Sequence, residues 1–463
     1  MSDPQPAVVY QAYRFALDPT PRQQGRLASH TGASRYAFNW GLGLVKDRLA
    51  RRAAGEDVRV PWSLFELRRE WNRAKGEVAQ WWAENSKEAY SSGLDGLARA
   101  LQNWQDAKQG RRKGARVGFP RRRRKGRCRE ACRFTTGVIR VEPDRHHVTL
   151  PRLGRLRTHE STRKLARRLE QGTARILSAT ISRQGGRWYV SFGCQVQRAI
   201  SGPRWPNGRV GVDVGLHHLA VLSDGRQVPN PGPLQAALRE LRRRNRRLAR
   251  RKGPIASDGT RREPSKGWLA AKGELGRAHA RVANLRRNGL HHLTSELAAT
   301  YGTVVVEHLN VAGMLRNRRL ARRLADAGFG ELRRQLTYKC AWVGSQLVEA
   351  DTFYPSSKTC SGCGHVKAKL SLSERTHQCE RCGLMLDRDL NAARNLAALV
   401  QTDARMEVVA GSGPETRNAR GADVRPGRSG QTALNREAGT GRHPDQTGTV
   451  GAQAPAARIA DTR

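Results

Sequence analysis

Residues 303–310, TVVVEHLN, close an apolar run on a carboxylate, Glu307. The three consecutive β-branched residues Val304 to Val306 suit a strand buried on both faces, so an acid at its exit marks the end of a core strand. Upstream, VGVDVGLHHLAVLSDG over residues 210–225 reads as a hairpin of two buried strands. Turn residues fall at Gly215 and at Asp224-Gly225, and Val210 and Val212 anchor a strand that ends on Asp213. Downstream, Cys360-Ser-Gly-Cys363 and Cys379-Glu-Arg-Cys382 precede DRDLNAARNL over residues 387–396, which opens a helix and holds Asp387 and Asp389.

The order acid, acid, cysteine module, acid names a chemistry. Phosphodiester hydrolysis needs an activated water, a stabilised pentavalent phosphorus and a neutralised leaving oxygen. Carboxylates from separate strands and a helix can hold the divalent ions that supply all three. Asp213, Glu307 and Asp389 are the candidate catalytic, Mg²⁺-holding acids, and Mn²⁺ suits the same oxygen ligands. An acid before a turn or at a helix start is commonly a cap, so the case rests on the three together. Asp387 competes for the third position and is the better N-terminal cap. His217 and His218 follow the first acid closely and are read as strand-edge residues.

Cys360, Cys363, Cys379 and Cys382 form C-x2-C-x15-C-x2-C. Two knuckles of this kind give one Zn²⁺ four sulfur ligands and no open position, which makes the ion structural. Gly364 and Gly383 follow the pairs, where tight turns are needed. The alternative is four unligated thiols at this spacing by chance. Cys128 and Cys132 have no second pair nearby and are read as incidental.

A net charge of +45 over 463 residues calls for a polyanionic partner, and nucleic acid is the leading candidate. The basic runs are spread along the chain, so a long enveloping contact with steep salt dependence is expected. Arg121, Arg122, Arg123, Arg124 and Lys125 form one candidate nucleic-acid surface, and Arg243, Arg246 and Arg247 another. No apolar stretch approaches the ~20 residues of a spanning helix, so no membrane partner is expected. The N-terminus lacks a charged-then-apolar signal, which places the chain in the cytoplasm, associated with the nucleoid.

Residues 8–17 alternate as a strand, and Pro19-Thr20-Pro21 introduces a helix through Tyr36 to Leu49. From Trp62 to Lys108, residues including Trp71, Tyr90, Leu94, Leu97, Leu101 and Trp104 recur at helical spacing and are read as core, with base-stacking platforms as the alternative. Alternating segments between 134 and 197 read as strands of a barrel or sandwich. Two basic helices follow. One is striped by Leu234, Leu238, Leu241 and Leu248, the other by Leu275, Ala278, Val282 and Leu285, and they form an expected antiparallel hairpin. After Gln401 aromatics and cysteines vanish, and disorder is expected to Arg463.

These residues resemble the TnpB family, transposon-encoded proteins with a RuvC-like nuclease core, related to type V CRISPR effectors. The resemblance covers roughly Tyr10 to Val400. It rests on YRFALDPTPRQ, ASRYAFNW, VGVDVGL, VVVEHLNVAGM, YPSSKTCSGCG and CGLMLDRDLNAARNL. It implies a multidomain α+β chain: a wedge β-barrel over 1–35 and 116–200, a helical recognition insertion over 36–115, and an RNase H-like (RuvC) core over 203–348 and 386–400. A zinc ribbon for target-strand loading over 349–385 and a tail over 401–463 complete it. It further implies RNA-guided cleavage of double-stranded DNA beside a short transposon-associated motif, with a guide RNA from the protein's own transposon. Asp213, Glu307 and Asp389 match the family's catalytic positions and the four cysteines its zinc ligands. Because the guide commonly overlaps the 3′ end of the coding region, the tail's composition is expected to reflect constraints on RNA.

Two other functions use the same residues. A transposase could use the acids for strand transfer, although the chain lacks a His-x-His pair with a partner tyrosine. A nuclease-silent RNA-guided regulator would have no need of intact acids.

Overall fold

The computed structural model describes residues 7–402 except 113, 115 and 372, together with the pairs 407–408, 416–417 and 423–424. The expectation of disorder over 401–463 falls largely outside these residues.

The N-terminal half interleaves two sheets with helices. Strand β1 (Ala7–Ala16) leads into α1 (Pro21–Ala53), α2 (Leu64–Val78) and α3 (Lys87–Lys108). Strands β2 (Ala131–Phe134), β3 (Arg140–Val141), β4 (His147–Leu150) and β5 (Gly154–Arg157) follow, then α4 (Arg163–Glu170), β6 (Ala174–Gln184) and β7 (Arg187–Arg198). One antiparallel sheet runs β1-β7-β6-β2 and a second runs β3-β4-β5, and a bridge from Leu17 to Thr158 joins them. The helices are therefore an insertion between β1 and β2, but they begin at Pro21 and not at residue 36. Thr20 closes a capping box with Gln23, and Pro21 sits where its missing N–H costs nothing, so one 33-residue helix starts there. The insertion is not a separate core either. Leu27, Phe38, Trp71, Tyr90, Leu94 and Leu101 share one buried cluster with Phe134, Ile181, Val190 and Phe192 of the sheet. Trp71 stacks on Tyr90 at 4.9 Å between ring centroids, in keeping with the core reading of the aromatics.

The second half is built on β8 (Trp205–Asp213), β9 (His218–Leu222), β10 (Gln227–Pro229), α5 (Pro233–Ala249), α6 (Lys266–Thr300) and β11 (Tyr301–Glu307). It continues through α7 (Val311–Met314), α8 (Ala321–Ala327), α9 (Phe329–Val343), β12 (Gln346–Ala350), β13 (Thr376–Gln378), β14 (Met385–Asp387), α10 (Arg388–Thr402) and β15 (Glu407–Val408). The mixed sheet has the order β10-β9-β8-β11-β12-β15, antiparallel at its edges and parallel through β8, β11 and β12. The expected core range of 203–348 therefore extends to Ala350, because all of β12 pairs with β11. Helices α5 and α6 form the predicted hairpin, but α6 runs on to Thr300 and lays Leu290, Leu293 and Leu297 on the sheet. Leu285, expected in the packed stripe, is instead 53% exposed.

Strand parity assigns the two faces. Val210, Val212, Val304, Val306 and Leu347 face α6 and α9, while Val305, Val348 and Ala350 pack with Leu396 of α10. Ala392, Ala393 and Leu396 are fully buried, and α10 lies directly over β8. This contact depends on Gly211, where an added Cβ would stand 1.9 Å from the carbonyl oxygen of Ala393. Gly211→Ala is expected to lower stability by about 1–3 kcal/mol, since neither backbone can yield. Gly25→Ala, in α1 with nothing within 4 Å of the new methyl, serves as a control expected to hold or raise it. Thermal melts followed by circular dichroism compare the two.

Candidate active site and cysteine module

Asp213 is the last residue of β8 and Glu307 the last of β11. The parallel register pairs Val306 with Val212, and Glu307 and Asp213 are the residues that follow them at the ends of these adjacent strands. Both lie two residues beyond positions that face α10, Gly211 and Val305, and so share that face. Asp389 comes from the first turn of α10. Asp387 caps this helix through the backbone N–H groups of Asp389 and Leu390, each 3.0 Å from Oδ1, and leaves Asp389 free of that duty. Residues 174 positions apart in the chain, Asp213 and Asp387, thereby belong to one acidic edge, on which the charge of Asp389 acts on Asp213 more strongly than that of Asp387.

The electrostatics of this edge are unfavourable in the absence of a cation. Burial pushes the Asp213 carboxyl well above its usual range, and the charges of Glu307 and Asp389 push it further. Arg388 opposes this, and it also approaches Asp389 at 3.4 Å, with Arg375 at 3.9 Å. Three neighbouring carboxylates, one of them raised in pKa first by burial and then by the charges of the other two, fit a hard divalent cation, which would relieve the repulsion.

The four cysteine sulfurs all lie within 4.8 Å of one another, with Cys360 and Cys382 3.6 Å apart and Cys363 and Cys379 3.6 Å apart. Four thiolates at a Zn–S distance of ~2.3 Å would be separated by about 3.8 Å, so the cluster fits a tetrahedral zinc. The two knuckles repeat one backbone pattern. Cys360 N–H donates to His365 and Cys379 N–H to Leu384, while Gly364 and Gly383 donate back to the cysteine carbonyls at 2.9 and 3.0 Å. Both glycines have positive φ, +74° and +72°. Backbone N–H groups at Cys382 and Arg381 hold the Cys379 thiol down to about 6, while neighbouring sulfurs push Cys382 up to about 12 against an opposing N–H from Leu384. Four thiolates here need a cation among them.

Several residues inside the quoted motifs YPSSKTCSGCG and CGLMLDRDLNAARNL receive no individual role from sequence. Asn391 and Asn395, one helical turn apart on α10, are buried and fasten the segment entering the first knuckle. Asn391 Nδ2 donates to Thr359 O and its Oδ1 accepts from Ser361 N–H; Asn395 Nδ2 donates to Ser356 O and Thr359 O. The Ser356 hydroxyl donates to Glu307. The i, i+4 pairing of the asparagines inside an apolar helix start is the signal that could have shown them.

The basic candidates divide. Arg121, Arg122, Arg124 and Lys125 are exposed, but Arg123 is not a surface contact. Its guanidinium lies 3.7 Å from the Phe38 ring centroid, burial lowers its pKa, and its backbone exchanges two hydrogen bonds with Asn39. Arg243, Arg246 and Arg247 are exposed on α5, with Arg247 paired to Glu274 of α6 at 2.9 Å. Among the described residues no helix is long and apolar enough to cross a membrane.

The raised Asp213 pKa has a definite sign in folding. Between the unfolded value near 3.9 and the higher folded value the native state holds the extra proton, so metal-free stability falls as pH rises through that window. In chelator, Asp213→Asn is expected to melt higher than the unsubstituted protein above that window, with the advantage shrinking towards pH 4. A pH series of melts reads it, and a constant difference would contradict the burial of the charge.

Three family models match the chain: "Helix-turn-helix domain" at residues 9–53, "Probable transposase" at 192–318 and "Cas12f1-like, TNB domain" at 329–396. Residues 9–53 hold β1 and one unbroken helix, α1, in this structure. A "Putative RNA-guided DNA endonuclease" of Mycobacterium tuberculosis is 46% identical over 407 residues, 84% of this chain and 86% of that protein. "Putative RNA-guided DNA endonuclease InsQ" of Escherichia coli K12 is 30% identical over 84% of this chain and 92% of its own length. A solved Cas12f1–sgRNA–target DNA complex aligns over 86% of this chain and 100% of that one at 14% identity and a TM-score of 0.45. At 46% and 30% identity over 84% of this chain and most of each relative, the chain belongs to the TnpB family.

Proposed function

We propose that the protein is a transposon-encoded, RNA-guided DNA endonuclease that hydrolyses double-stranded DNA at Asp213, Glu307 and Asp389. The observation that supports this is the grouping of the three acids at one sheet edge, where burial and the charges of Glu307 and Asp389 together raise Asp213. Two Mg²⁺ or Mn²⁺ ions held there would activate a water and neutralise the leaving oxygen of the scissile phosphodiester. Asp213 and Glu307 present their carboxylates from rigid parallel strands, and Asp389 reaches them from a helix whose packing on Gly211 leaves no play. Arg375 and Arg388 beside Asp389 are placed to receive phosphate oxygens from a strand entering the cleft.

The net charge of +45 supports a guide RNA and a guide–target heteroduplex as partners, with sequence choice left to base pairing. The guide comes in this reading from the protein's own transposon. Residues 7–200 would supply the wedge and recognition surfaces, with Arg121, Arg122, Arg124 and Lys125 at their rim. Arg243, Arg246 and Arg247 would follow the backbone along α5, and the cysteine module, holding zinc through Cys360, Cys363, Cys379 and Cys382, would load the target strand. The cytoplasm, beside the nucleoid, is the corresponding location.

Sequencing the RNA that co-purifies from the native host is the first test. One discrete RNA mapping to the 3′ end of the gene and running into flanking DNA is expected, whereas a heterogeneous smear would favour unguided binding. With that RNA, Asp213→Ala should abolish cleavage while RNA and DNA binding persist in filter and gel-shift assays. Unchanged cutting would remove Asp213 from the site, and joined rather than hydrolysed DNA ends would point to strand transfer.

A further inference from the structure

Glu307 ends its strand with a side chain that could rotate freely, yet its carboxylate is held. Its hydrogen-bond donor among the described residues is the hydroxyl of Ser356, 49 residues away in sequence and buried to 3% exposure. Ser356 lies on the strap between β12 and the first cysteine knuckle, and the strap is fixed on both sides of it. Before it, Tyr354 packs against the cluster of Val305, Val348, Ala350 and Leu396. After it, the Pro355 carbonyl accepts from the N–H groups of Lys358 and Thr359 at 2.9 and 3.0 Å. Asn395 of α10 donates to the Ser356 carbonyl at 2.8 Å and to the Thr359 carbonyl at 2.6 Å. Asn391 donates to the same Thr359 carbonyl at 2.7 Å and accepts from Ser361, the residue next to the sulfur ligand Cys360.

We infer that Ser356 is a positioning residue for Glu307: its hydroxyl aims the carboxylate across the cleft, and the strap ties that aim to the order of the cysteine module and of the helix that carries Asp389. This rests on Glu307 being a metal-holding acid of the site. Such a carboxylate binds its ion best when one oxygen is already oriented by a donor, since otherwise its rotamers must be ordered on binding. Removing hydrogen-bonded support of this kind costs about 10–100-fold in metal affinity or activity. The arrangement also gives the cysteine module a role in catalysis separate from any grip on nucleic acid. A loosened knuckle releases Ser361 and Thr359, then Ser356, and finally Glu307.

The test compares Ser356→Thr, which keeps a hydroxyl, with Ser356→Val, which has the same shape without one. In the full-length protein with its guide RNA, the Val variant is expected to need about 10–100-fold more Mg²⁺ for half-maximal cleavage and to recover at high Mg²⁺. The Thr variant should titrate like the parent. Mn²⁺ binding followed by electron paramagnetic resonance, without DNA, should show the same displacement, with zinc content and target binding unchanged. A Val variant whose Mg²⁺ and Mn²⁺ titrations match those of the parent would overturn the inference. So would equal losses in Val and Thr. Glu307→Gln, run beside them, separates the two levels. If it is inactive while the Val variant is normal, only the positioning role fails, but if it cuts normally the site itself fails and the role of Ser356 with it.

Discussion

The close packing of α10 on β8 at Gly211 is the contact on which the rest of the site depends. Sheet parity alone places Asp213 and Glu307 side by side, because they end adjacent parallel strands in register. A third acid can join them only if a helix approaches the same face without side chains intervening. Gly211 and Ala393 allow backbone-to-backbone approach, and Asp389 in the first turn of α10 is delivered to the strand ends. The asparagines one and two turns into α10 then use the same helix to hold the cysteine module.

Bringing like charges together in this way destabilises the metal-free protein. Burial raises the Asp213 pKa and the charges of Glu307 and Asp389 raise it further, while Arg388 and Arg375 offset part of the repulsion around Asp389. The fold tolerates this because the strands beneath are buried on both faces by Val210, Val212 and Val304 to Val306, all at 3% exposure or less. A site for highly charged ligands thus stands on an apolar base, where the acids cannot relax apart and preorganisation is retained. The basic surface is a different kind of feature. The exposed arginines of α5 stand on a helical hairpin with α6, in keeping with a partner recognised by its phosphates.

Much of this was legible from local pattern. The cysteine cluster was legible because each knuckle is a short-range structure, closed by backbone bonds within five residues and a glycine at positive φ. The strand ends at Asp213 and Glu307 were legible because apolar runs terminate visibly, and Asp387 as the cap because capping is a three-residue event. The Pro-Thr-Pro signal introduces α1 where it begins, at Pro21, but the expected helical insertion starts only at residue 36, since the first turns of that helix are polar and show no apolar period. Leu285 was misjudged because a long helix can drift out of contact with its partner while its stripe continues.

The sequence by itself determined the paired cysteines, the ordered series of acids, the strong positive charge and the family resemblance, all of which are written in residue type and short spacing. Tertiary structure decided what depends on contacts between distant segments. It turned Arg123 inward onto Phe38, 85 positions away. It set a serine against Glu307, and it made two asparagines the fastening between the cysteine module and the helix that carries Asp389. No local pattern encodes these, because a hydrogen bond between segments forms only where the packing of the whole sheet and its helices has first brought donor and acceptor within about 3 Å.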